Sequence, residues 1–314
     1  MEQLCFGADI GGTTVKVGLF NSEGRLMDQW DFATRRTGDG RDILRDSAEF
    51  IKNKIYELKL KKDDIVGIGV GVPGPVRDNG EVQELPNLGL GHFNIVEEME
   101  KLTGLRVKAG NDANVAALGE MWQGSGKGFK NMVFITLGTG VGGGIIINGN
   151  IVAGSNGAAG EIGHIMVNDK EQKTCGCGKK GCLEQYASAT GVVRLAMDEL
   201  KNYEGPSPLG SNESLSAKAV FDHAKNGDEL SLKVVEEASR YLGIALSHIA
   251  QVIDPEAFVI GGGVSKAGEI LTDSVKKYYE ANVMDSLKNK EFRLASLGND
   301  AGIYGCAKLI LASE

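Results

Sequence analysis

The sequence contains no apolar run of the roughly 18 to 20 residues that a membrane-spanning helix requires. Its strand-like apolar runs, such as Val133–Leu137 and Ile145–Ile147, are short and broken by glycine. Residues 1–7 also lack the basic region, the apolar core and the small-residue cleavage site of a secretory signal. We therefore expect a soluble, cytoplasmic protein with no membrane partner.

Positive charge is also scarce. The 314 residues include 42 Asp and Glu against 34 Lys and Arg, which gives a net charge of -8, and no run of Lys and Arg exceeds three residues. Surfaces that bind nucleic acid depend on clustered basic side chains. The composition therefore excludes nucleic acid as an expected partner.

Two common nucleotide-binding motifs are missing or out of context. No segment has the Walker form G-x-x-x-x-G-K-[ST]. Gly138, Gly140 and Gly143 satisfy G-x-G-x-x-G, but a Rossmann fingerprint must open a helix, and here an apolar β run follows. A dinucleotide site of the Rossmann type is therefore disfavoured.

Glycine is abundant, with 45 residues clustered in loops. The runs Leu4–Asp9 and Val15–Asn21 predict a hairpin around a glycine turn. This turn combines glycines whose N–H groups can approach phosphate, hydroxyls that can bind phosphate oxygens, and an aspartate suited to a Mg²⁺-bound water. The predicted phosphate-binding residues are Asp9, Gly11, Gly12, Thr13, Thr14 and Lys16.

A second hairpin of the same kind is predicted about half a chain later. Strands at Met132–Leu137 and Ile145–Asn148 flank a glycine-rich turn, in which Gly138, Thr139 and Gly140 repeat the phosphate-binding equipment. A third loop contains Gly262 and Gly263, where an adenine or ribose could lie. Each loop alone is weak evidence, but the three together favour a nucleotide site held by hairpins.

The repeated hairpin suggests an internal duplication of one α/β unit. Helices are predicted at Asp42–Leu60, Asn94–Thr103, Ala113–Met121, Ser188–Lys201, Ser216–Asn226, Glu229–Val252 and Asp300–Leu311. Two α/β lobes that each open with a glycine hairpin describe the actin-like ATPase architecture, a duplicated ribonuclease H-like fold with its ligands in the cleft between lobes. We expect one lobe from residues 1–112, completed by 300–314, and a larger one from 113–299.

The densest chemical signal is the array of His164, Cys175, Cys177 and Cys182. Three thiolates and one imidazole form a complete tetrahedral zinc set, and structural zinc sites close all four positions with protein ligands. Glycines at 176, 178 and 181 allow the positive-φ turns of a tight ligand loop. The array predicts a structural zinc ion that shapes a loop.

Other interpretations of the cysteines remain open at this point. Three neighbouring cysteines can be plain thiols, or two of them can pair as a disulfide, although a disulfide needs an oxidising compartment. Cys5 and Cys306 lie in apolar segments and are predicted to be small core residues.

Asp112 is the candidate catalytic carboxylate, since Gly110–Asn114 joins a predicted strand end to a helix start. An aspartate in this position is often only a helix N-cap. Other polar residues favour a functional role for Asp112 over a plain capping role. Glu161 and Glu184 flank the zinc array in the sequence, and His164 belongs to it. A ring of carboxylates, amides and imidazole is what a polyhydroxylated ligand requires.

The chain resembles the ROK family of bacterial sugar kinases and repressors, and within this family it most resembles the glucokinases. The resemblance covers nearly the whole length, and its last two motifs are highly specific. The matching segments are Asp9–Thr13, Gly71–Pro75, Pro86–Leu88, Asn111–Asn114, Leu137–Gly142, Glu161–His164 and Cys175–Gly178 with Gly181–Glu184.

The resemblance implies transfer of phosphate from ATP, with Mg²⁺, to the 6-hydroxyl of glucose or a related hexose. It implies that Asp112 is the general base and that zinc shapes the sugar pocket. Its implied sugar contacts are Gly74, Asn87, Asn111, Asp112, Glu161, His164 and Glu184. It also implies a homodimer or a tetramer.

Rival assignments stay open within and outside this class. A kinase for N-acetylmannosamine or N-acetylglucosamine is the nearer rival, and a fructokinase the more distant one. A sugar-sensing repressor is the alternative of a different class; such relatives carry an N-terminal helix-turn-helix domain, whereas here the phosphate hairpin begins at Asp9. The sequence contains no feature from which the 2-position of the sugar or the phosphoryl donor can be derived.

Overall fold

A computed structural model describes residues 3–35, 40–82, 88–210 and 215–312 of the chain. Its strands are β1 Leu4–Ile10, β2 Thr14–Asn21, β3 Leu26–Ala33, β4 Ile65–Val72, β5 Glu81–Val82, β6 Phe93–Asn94, β7 Val107–Asn111, β8 Met132–Leu137, β9 Val141–Ile147, β10 Asn150–Ile151, β11 Ala257–Gly261 and β12 Glu291–Leu294. Its α-helices are α1 Asp42–Glu57, α2 Ile95–Thr103, α3 Asp112–Gln123, α4 Glu184–Ala187, α5 Ala189–Leu200, α6 Ala217–Lys225, α7 Glu229–Ile253, α8 Glu269–Asn282 and α9 Ala301–Leu311. Among the helices in these ranges, none combines the length and the apolar character that crossing a bilayer demands.

The helix ends follow local sequence chemistry. Asn94 caps α2 by accepting from the Glu97 N–H, and Gly104, at φ 67°, ends the same helix in the left-handed conformation. Ser188 caps α5 in the same way through the Gly191 N–H. The predicted helix Asp42–Leu60 ends earlier, at Glu57, and Lys59 then has a φ of 53°. The other predicted helices appear within a few residues of their expected bounds.

The first large sheet has the strand order β3-β2-β1-β4-β7. β1 pairs antiparallel with β2, as the predicted hairpin requires, and parallel with β4. β4 in turn pairs parallel with β7, so the carboxyl ends of β1, β4 and β7 lie at one edge. Asp9, Val72 and Asn111 stand near these ends.

The second large sheet, in the order β10-β9-β8-β11-β12, repeats this plan. A hairpin partner flanks β8 on one side, and β11 and β12 continue the sheet in parallel on the other. The repeated order agrees with the predicted internal duplication. One expectation was wrong in detail: β9 begins at Val141, so the turn comprises only 138–140 and Gly143 lies inside a strand.

The chain divides into two compact units. One comprises Met1–Lys130, Gly144–Gly160 and Leu297–Glu314, and the other comprises Asn131–Gly143 and Glu161–Ser296. The core of the first unit is built from the inner residues of β1, β2 and β4 with α1 and α2. The core of the second unit gathers the apolar face of the long helix α7 with α5, α6, α8 and the strands β8 and β11.

Helix α9 packs on the first sheet, as expected for the closing helix, and glycines set how closely it approaches. A Cβ on Gly69 in β4 would lie 1.7 Å from the Cys306 carbonyl oxygen. A Cβ on Gly305 would lie 1.5 Å from the Val115 carbonyl oxygen in α3. Part of the high glycine content therefore serves contacts between backbones rather than ligand binding.

Several elements have no counterpart in the sequence-based expectations. They are β3, β5, β6, β10, β12, α4 and α8. No residue of β3 is fully buried, and its partly buried and exposed residues do not alternate strictly, so its pattern carries little strand signal.

Candidate functional site

In the first unit, Asp9 stands near the end of β1 with its carboxylate against two glycines. A Cβ on Gly302 would lie 2.3 Å from Oδ2, and a Cβ on Gly71 would lie 3.4 Å from Oδ1. Burial, reinforced by the charge of Asp112 and opposed by Lys16, raises the pKa of Asp9 from 3.8 to about 6. The two carboxylates therefore interact electrostatically.

Asp112 is the first residue of α3 and is exposed. The cap of this helix is Asn111, whose Oδ1 accepts from the N–H groups of Ala113 at 3.0 Å and Asn114 at 3.1 Å. The interpretation of Asp112 as the N-cap is therefore wrong. Asn111 also donates from Nδ2 to the Gly74 carbonyl oxygen at 3.2 Å, which ties two predicted sugar contacts to each other.

The first glycine turn uses part of its backbone internally. The Gly11 N–H donates to the Thr14 carbonyl oxygen at 3.0 Å, and the phosphate contact of Gly11 stays a prediction. Thr34 closes the turn from β3, donating from Oγ1 to the Gly11 carbonyl oxygen at 2.7 Å. Gly12 is partly exposed and Thr13 is exposed, as a phosphate contact requires.

Lys16 lies on β2 and forms an ion pair with Asp300 at 2.9 Å, and it donates to the Asn299 carbonyl oxygen at 3.0 Å. Gln29 donates to the same Asp300 carboxylate at 3.1 Å. The residue preceding α9 therefore holds the lysine that the sequence assigned to phosphate. No signal in the sequence pointed to Asp300.

In the second unit, the four predicted zinc ligands meet. The ligand atoms of His164, Cys175, Cys177 and Cys182 all lie within 4.8 Å of one another. The Sγ atoms of Cys177 and Cys182 are 3.6 Å apart, and Cys175 Sγ lies 3.8 Å from His164 Nδ1. With Zn–S bonds of about 2.3 Å, the edge of a tetrahedron is about 3.8 Å, so the donor set fits a structural zinc ion.

The chemistry of the loop supports the same fit. All five cysteines are free thiols, and Cys5 and Cys306 are buried in the core as predicted. Burial, together with hydrogen bonds to Cys177 and Cys175, raises the pKa of the Cys182 thiol to about 12, so binding of zinc, whose ligands are thiolates, would release its proton. Gly178 and Gly181 have the expected positive φ angles of 82° and 74°, but Gly176 does not have one.

His164 presents its two nitrogens in different directions. Nδ1 faces the Cys175 sulfur, and Nε2 lies 4.0 Å from a Glu161 carboxylate oxygen. A metal on Nδ1 leaves Nε2–H as a donor of fixed direction. Glu161 is exposed beside it, so both side chains are available to a polar ligand.

Glu184 contacts both the loop that carries the predicted zinc ligands and the end of the second glycine turn. Its Oε2 accepts from the Val141 N–H at 3.0 Å, and its Oε1 lies 3.8 Å from the Cys175 sulfur. The turn itself is closed by a bond from the Gly138 N–H to the Gly140 carbonyl oxygen at 3.0 Å, and Thr139 is exposed.

The third glycine loop follows β11. Gly262 has a φ of 82°, and a Cβ there would lie 2.5 Å from the Leu137 carbonyl oxygen, so the loop is bound to the end of β8. Gly263 is exposed with open space around it. Asn87, the remaining predicted sugar contact, lies outside the described residues.

One polar network has no counterpart in the sequence analysis. It lies at the loop 164–182, which carries the four predicted zinc ligands and is called the metal loop below. Glu171 accepts from the Tyr186 hydroxyl at 2.7 Å and from Arg194 at 2.6 Å, and Asn168 donates to the same hydroxyl at 2.9 Å. These bonds, against the opposing effect of burial, lower the pKa of Glu171 to about 2. The network fixes the start of the metal loop without using a metal.

Comparisons with known proteins agree with these arrangements. A family model described as ROK family matches residues 5–313. The chain is 43% identical over 313 residues to a glucokinase of Halalkalibacterium halodurans, with 98% of this chain and 95% of that protein covered. It is 30% identical over 322 residues to an N-acetyl-D-glucosamine kinase of Pasteurella multocida, with 98% and 99% covered.

A solved structure is similar over the same extent. The ROK family glucokinase from Streptomyces griseus, in complex with glucose and AMPPNP, has a TM-score of 0.76 and 34% identity, with 98% of both chains covered. The predicted two-lobed, actin-like ATPase fold is thereby confirmed. Because the family model spans nearly the whole chain and the ligand array stands where the resemblance required it, this chain belongs to the ROK family.

Proposed function

We propose that the protein is a glucokinase, which transfers the γ-phosphoryl group of ATP to the 6-hydroxyl of glucose. The similarity of almost the whole chain to proteins named glucokinase supports this substrate, and the bound glucose and AMPPNP of one relative support the donor class. The 43% identity to a glucokinase exceeds the 30% identity to an N-acetyl-D-glucosamine kinase, which favours glucose over the acetamido sugar.

One structural observation carries the assignment of the base: an exposed Asp112 carboxylate begins α3 while a different side chain caps that helix. A helix N-terminus favours the ionised carboxylate, which is the form that accepts a proton. Asn111 supplies the cap to Ala113 and Asn114, and the Ala113 N–H also donates to Asp112 Oδ1 at 2.7 Å, so one oxygen of the carboxylate is oriented by the helix start. In this mechanism Asp112 accepts the proton of the sugar 6-hydroxyl as the oxygen attacks phosphorus.

The remaining sugar contacts follow from hydrogen-bonding capacity. Sugar hydroxyls donate to carboxylates and accept from N–H groups. Glu161 and Glu184 would accept, and His164 would donate from Nε2. Asn87, Asn111 and Gly74 complete the proposed set.

The donor is assigned to the glycine turns. Gly12, Thr13 and Thr14 of the first turn, with Gly138, Thr139 and Gly140 of the second, would face the phosphates, and Gly262 and Gly263 would face the nucleoside. Lys16 would contribute positive charge, and Asp9 would hold water on Mg²⁺. Mg²⁺, when bound, would supply charge neutralisation at the phosphates, and His164, Cys175, Cys177 and Cys182 would hold the zinc ion that fixes their loop. The expected homodimer and cytoplasmic location remain predictions.

The base assignment is tested with Asp112→Asn. We expect kcat for glucose to fall by about 10²–10⁴, the range that general-base catalysis contributes, because the amide cannot accept the proton. Glucose affinity, measured by calorimetry, should change by less than about fivefold, or about 1 kcal/mol.

Asp42→Asn is a matched control, because Asp42 is likewise the first residue of a helix in the same unit. It should leave kcat unchanged. An Asp112→Asn protein that retains most of its turnover would show that another group removes the proton.

The substrate is tested by ADP release from Mg-ATP with glucose, mannose, fructose, N-acetylglucosamine and N-acetylmannosamine. We expect kcat/KM to be highest for glucose. A preference for an acetamido sugar would transfer the assignment to the rival kinase. Absence of turnover on every sugar would favour the sugar-sensing regulator.

A further inference from the structure

The second glycine turn, residues 138–140, and the first residue of β9, Val141, are held by three contacts from one short segment. The Val141 N–H donates to Glu184 at 3.0 Å. The Gly138 carbonyl oxygen accepts from the Ala189 N–H at 2.8 Å, and the Thr139 carbonyl oxygen accepts from Thr190 Oγ1 at 2.8 Å. All three partners lie within residues 184–190, which begin two positions after the metal ligand Cys182.

Glu184 is the charged member of these three contacts. A hydrogen bond from an N–H to a carboxylate is roughly twice as strong as one between neutral groups. The carboxylate reaches the turn because residue 140 is glycine: a Cβ there would lie 2.2 Å from Oε2. Gly140 has an ordinary φ and so does not need to be glycine for its own conformation.

The rest of the segment is rigid. Ser188 is fully buried, donates from Oγ to the Glu184 carbonyl oxygen at 2.6 Å, and caps α5 through the Gly191 N–H. Thr190 Oγ1 lies 2.9 Å from Ser188 Oγ, so the two hydroxyls are in contact while each donates its one hydrogen to a carbonyl oxygen. A rigid support of this kind keeps the direction of the turn's N–H groups constant.

We propose that Glu184 is a positioning residue for the phosphoryl donor, acting through the Val141 N–H, in addition to any contact with the sugar. This inference rests on the proposed function, because it takes the second turn to bind the donor. The other carboxylate oxygen of Glu184, Oε1, contacts Cys175 in the metal loop.

Binding of AMPPNP and binding of glucose, each measured separately by calorimetry, test this role. Glu184→Gln keeps an oxygen that can accept from the Val141 N–H, whereas Glu184→Ala removes it. We expect AMPPNP affinity to fall about tenfold or more in the Ala variant and by less than about fivefold in the Gln variant. Glucose affinity should fall in both variants. Zinc content and melting temperature establish that each variant is folded.

Gly140→Ala provides an independent route to the same contact, because its Cβ displaces the carboxylate without removing it. AMPPNP affinity should fall as in Glu184→Ala. The double variant Gly140→Ala/Glu184→Ala should bind AMPPNP no more weakly than Glu184→Ala alone, since the clash and the contact involve the same oxygen atom.

Glu161→Ala is the control for loss of a sugar-binding carboxylate, and it should weaken glucose binding alone. The proposal is wrong if Glu184→Ala binds AMPPNP like the wild type, or if Glu184→Gln and Glu184→Ala weaken AMPPNP binding equally. It is also wrong if the losses of AMPPNP affinity from Gly140→Ala and Glu184→Ala add in the double variant. A wild-type protein that binds neither AMPPNP nor glucose would instead contradict the proposed function.

Discussion

At the scale of single residues, Asp9 shows how a buried carboxylate beside a second carboxylate costs stability. Its pKa rises from 3.8 to about 6 through burial and the neighbouring Asp112. Between these two values the native state holds a proton that the unfolded state has released, so the free energy of unfolding falls as the pH rises through this window. Above the window the ionised carboxylate costs about 3 kcal/mol.

Asp9→Asn should remove this cost. We expect the variant to melt at a higher temperature than the wild type at pH 7 and to lose the decline in stability between about pH 4 and 6. Melting curves across pH 3.5–7.5 measure this, and activity should be lost if Asp9 holds the metal-bound water. Equal pH slopes in the two proteins would mean that the Asp9 carboxylate is solvated in the native state.

At the scale of secondary-structure elements, the packing of α9 against α3 and the first sheet overrides helix propensity. Ala is favoured over Gly in a helix by about 1 kcal/mol. Gly305 nevertheless lies inside α9, because a Cβ would lie 1.5 Å from the Val115 carbonyl oxygen. A backbone atom cannot move aside by rotating, so the two helices would have to separate.

Gly305→Ala should therefore destabilise the protein by about 1–3 kcal/mol, the usual cost of overpacking, in spite of its better propensity. Urea unfolding measures the change. Gly91→Ala is the control, since Gly91 has open space around it, and its effect should stay within about 0.5 kcal/mol. A stabilised Gly305→Ala protein would contradict the close contact between α9 and α3.

At the scale of the whole molecule, the two compact units differ in what stabilises them. The first contains the first sheet with α9, and the second contains the predicted metal loop. That loop also has a support that needs no metal, because Glu171, Tyr186 and Arg194 hold its beginning. Loss of the metal should therefore loosen only part of one unit. The functional division of the chain at residue 112 stays a prediction.

Cys177→Ser tests this difference. We expect the variant to lose zinc, to bind glucose more weakly, and to exchange backbone amides faster within residues 174–182, while β1, β2 and β4 keep their protection. Hydrogen exchange with metal analysis measures both effects, and a chelator should reproduce them in the wild type. Unchanged exchange after metal loss, or exchange that spreads through both units, would contradict a local structural role.

The sequence by itself determined the elements whose chemistry is local. Hairpins around glycine turns, the helix near Asn94–Thr103 and the ligand array of His164 with three cysteines follow from residue type and spacing, and these were predicted correctly. Short strands such as β12 and partly exposed ones such as β3 were missed, because their burial depends on neighbours distant in sequence.

Only the tertiary structure decided which distant groups pair with each other through hydrogen bonds or ion pairs. Lys16 pairs with Asp300, which is 284 positions away, and Glu184 accepts from Val141, which is 43 positions away. Such contacts arise where α9 packs on the first sheet and where α4 packs against α5 and α7, and no local pattern encodes them. The sequence therefore specified the chemical groups, and the fold fixed their hydrogen-bond partners and charges, because both depend on distances in space.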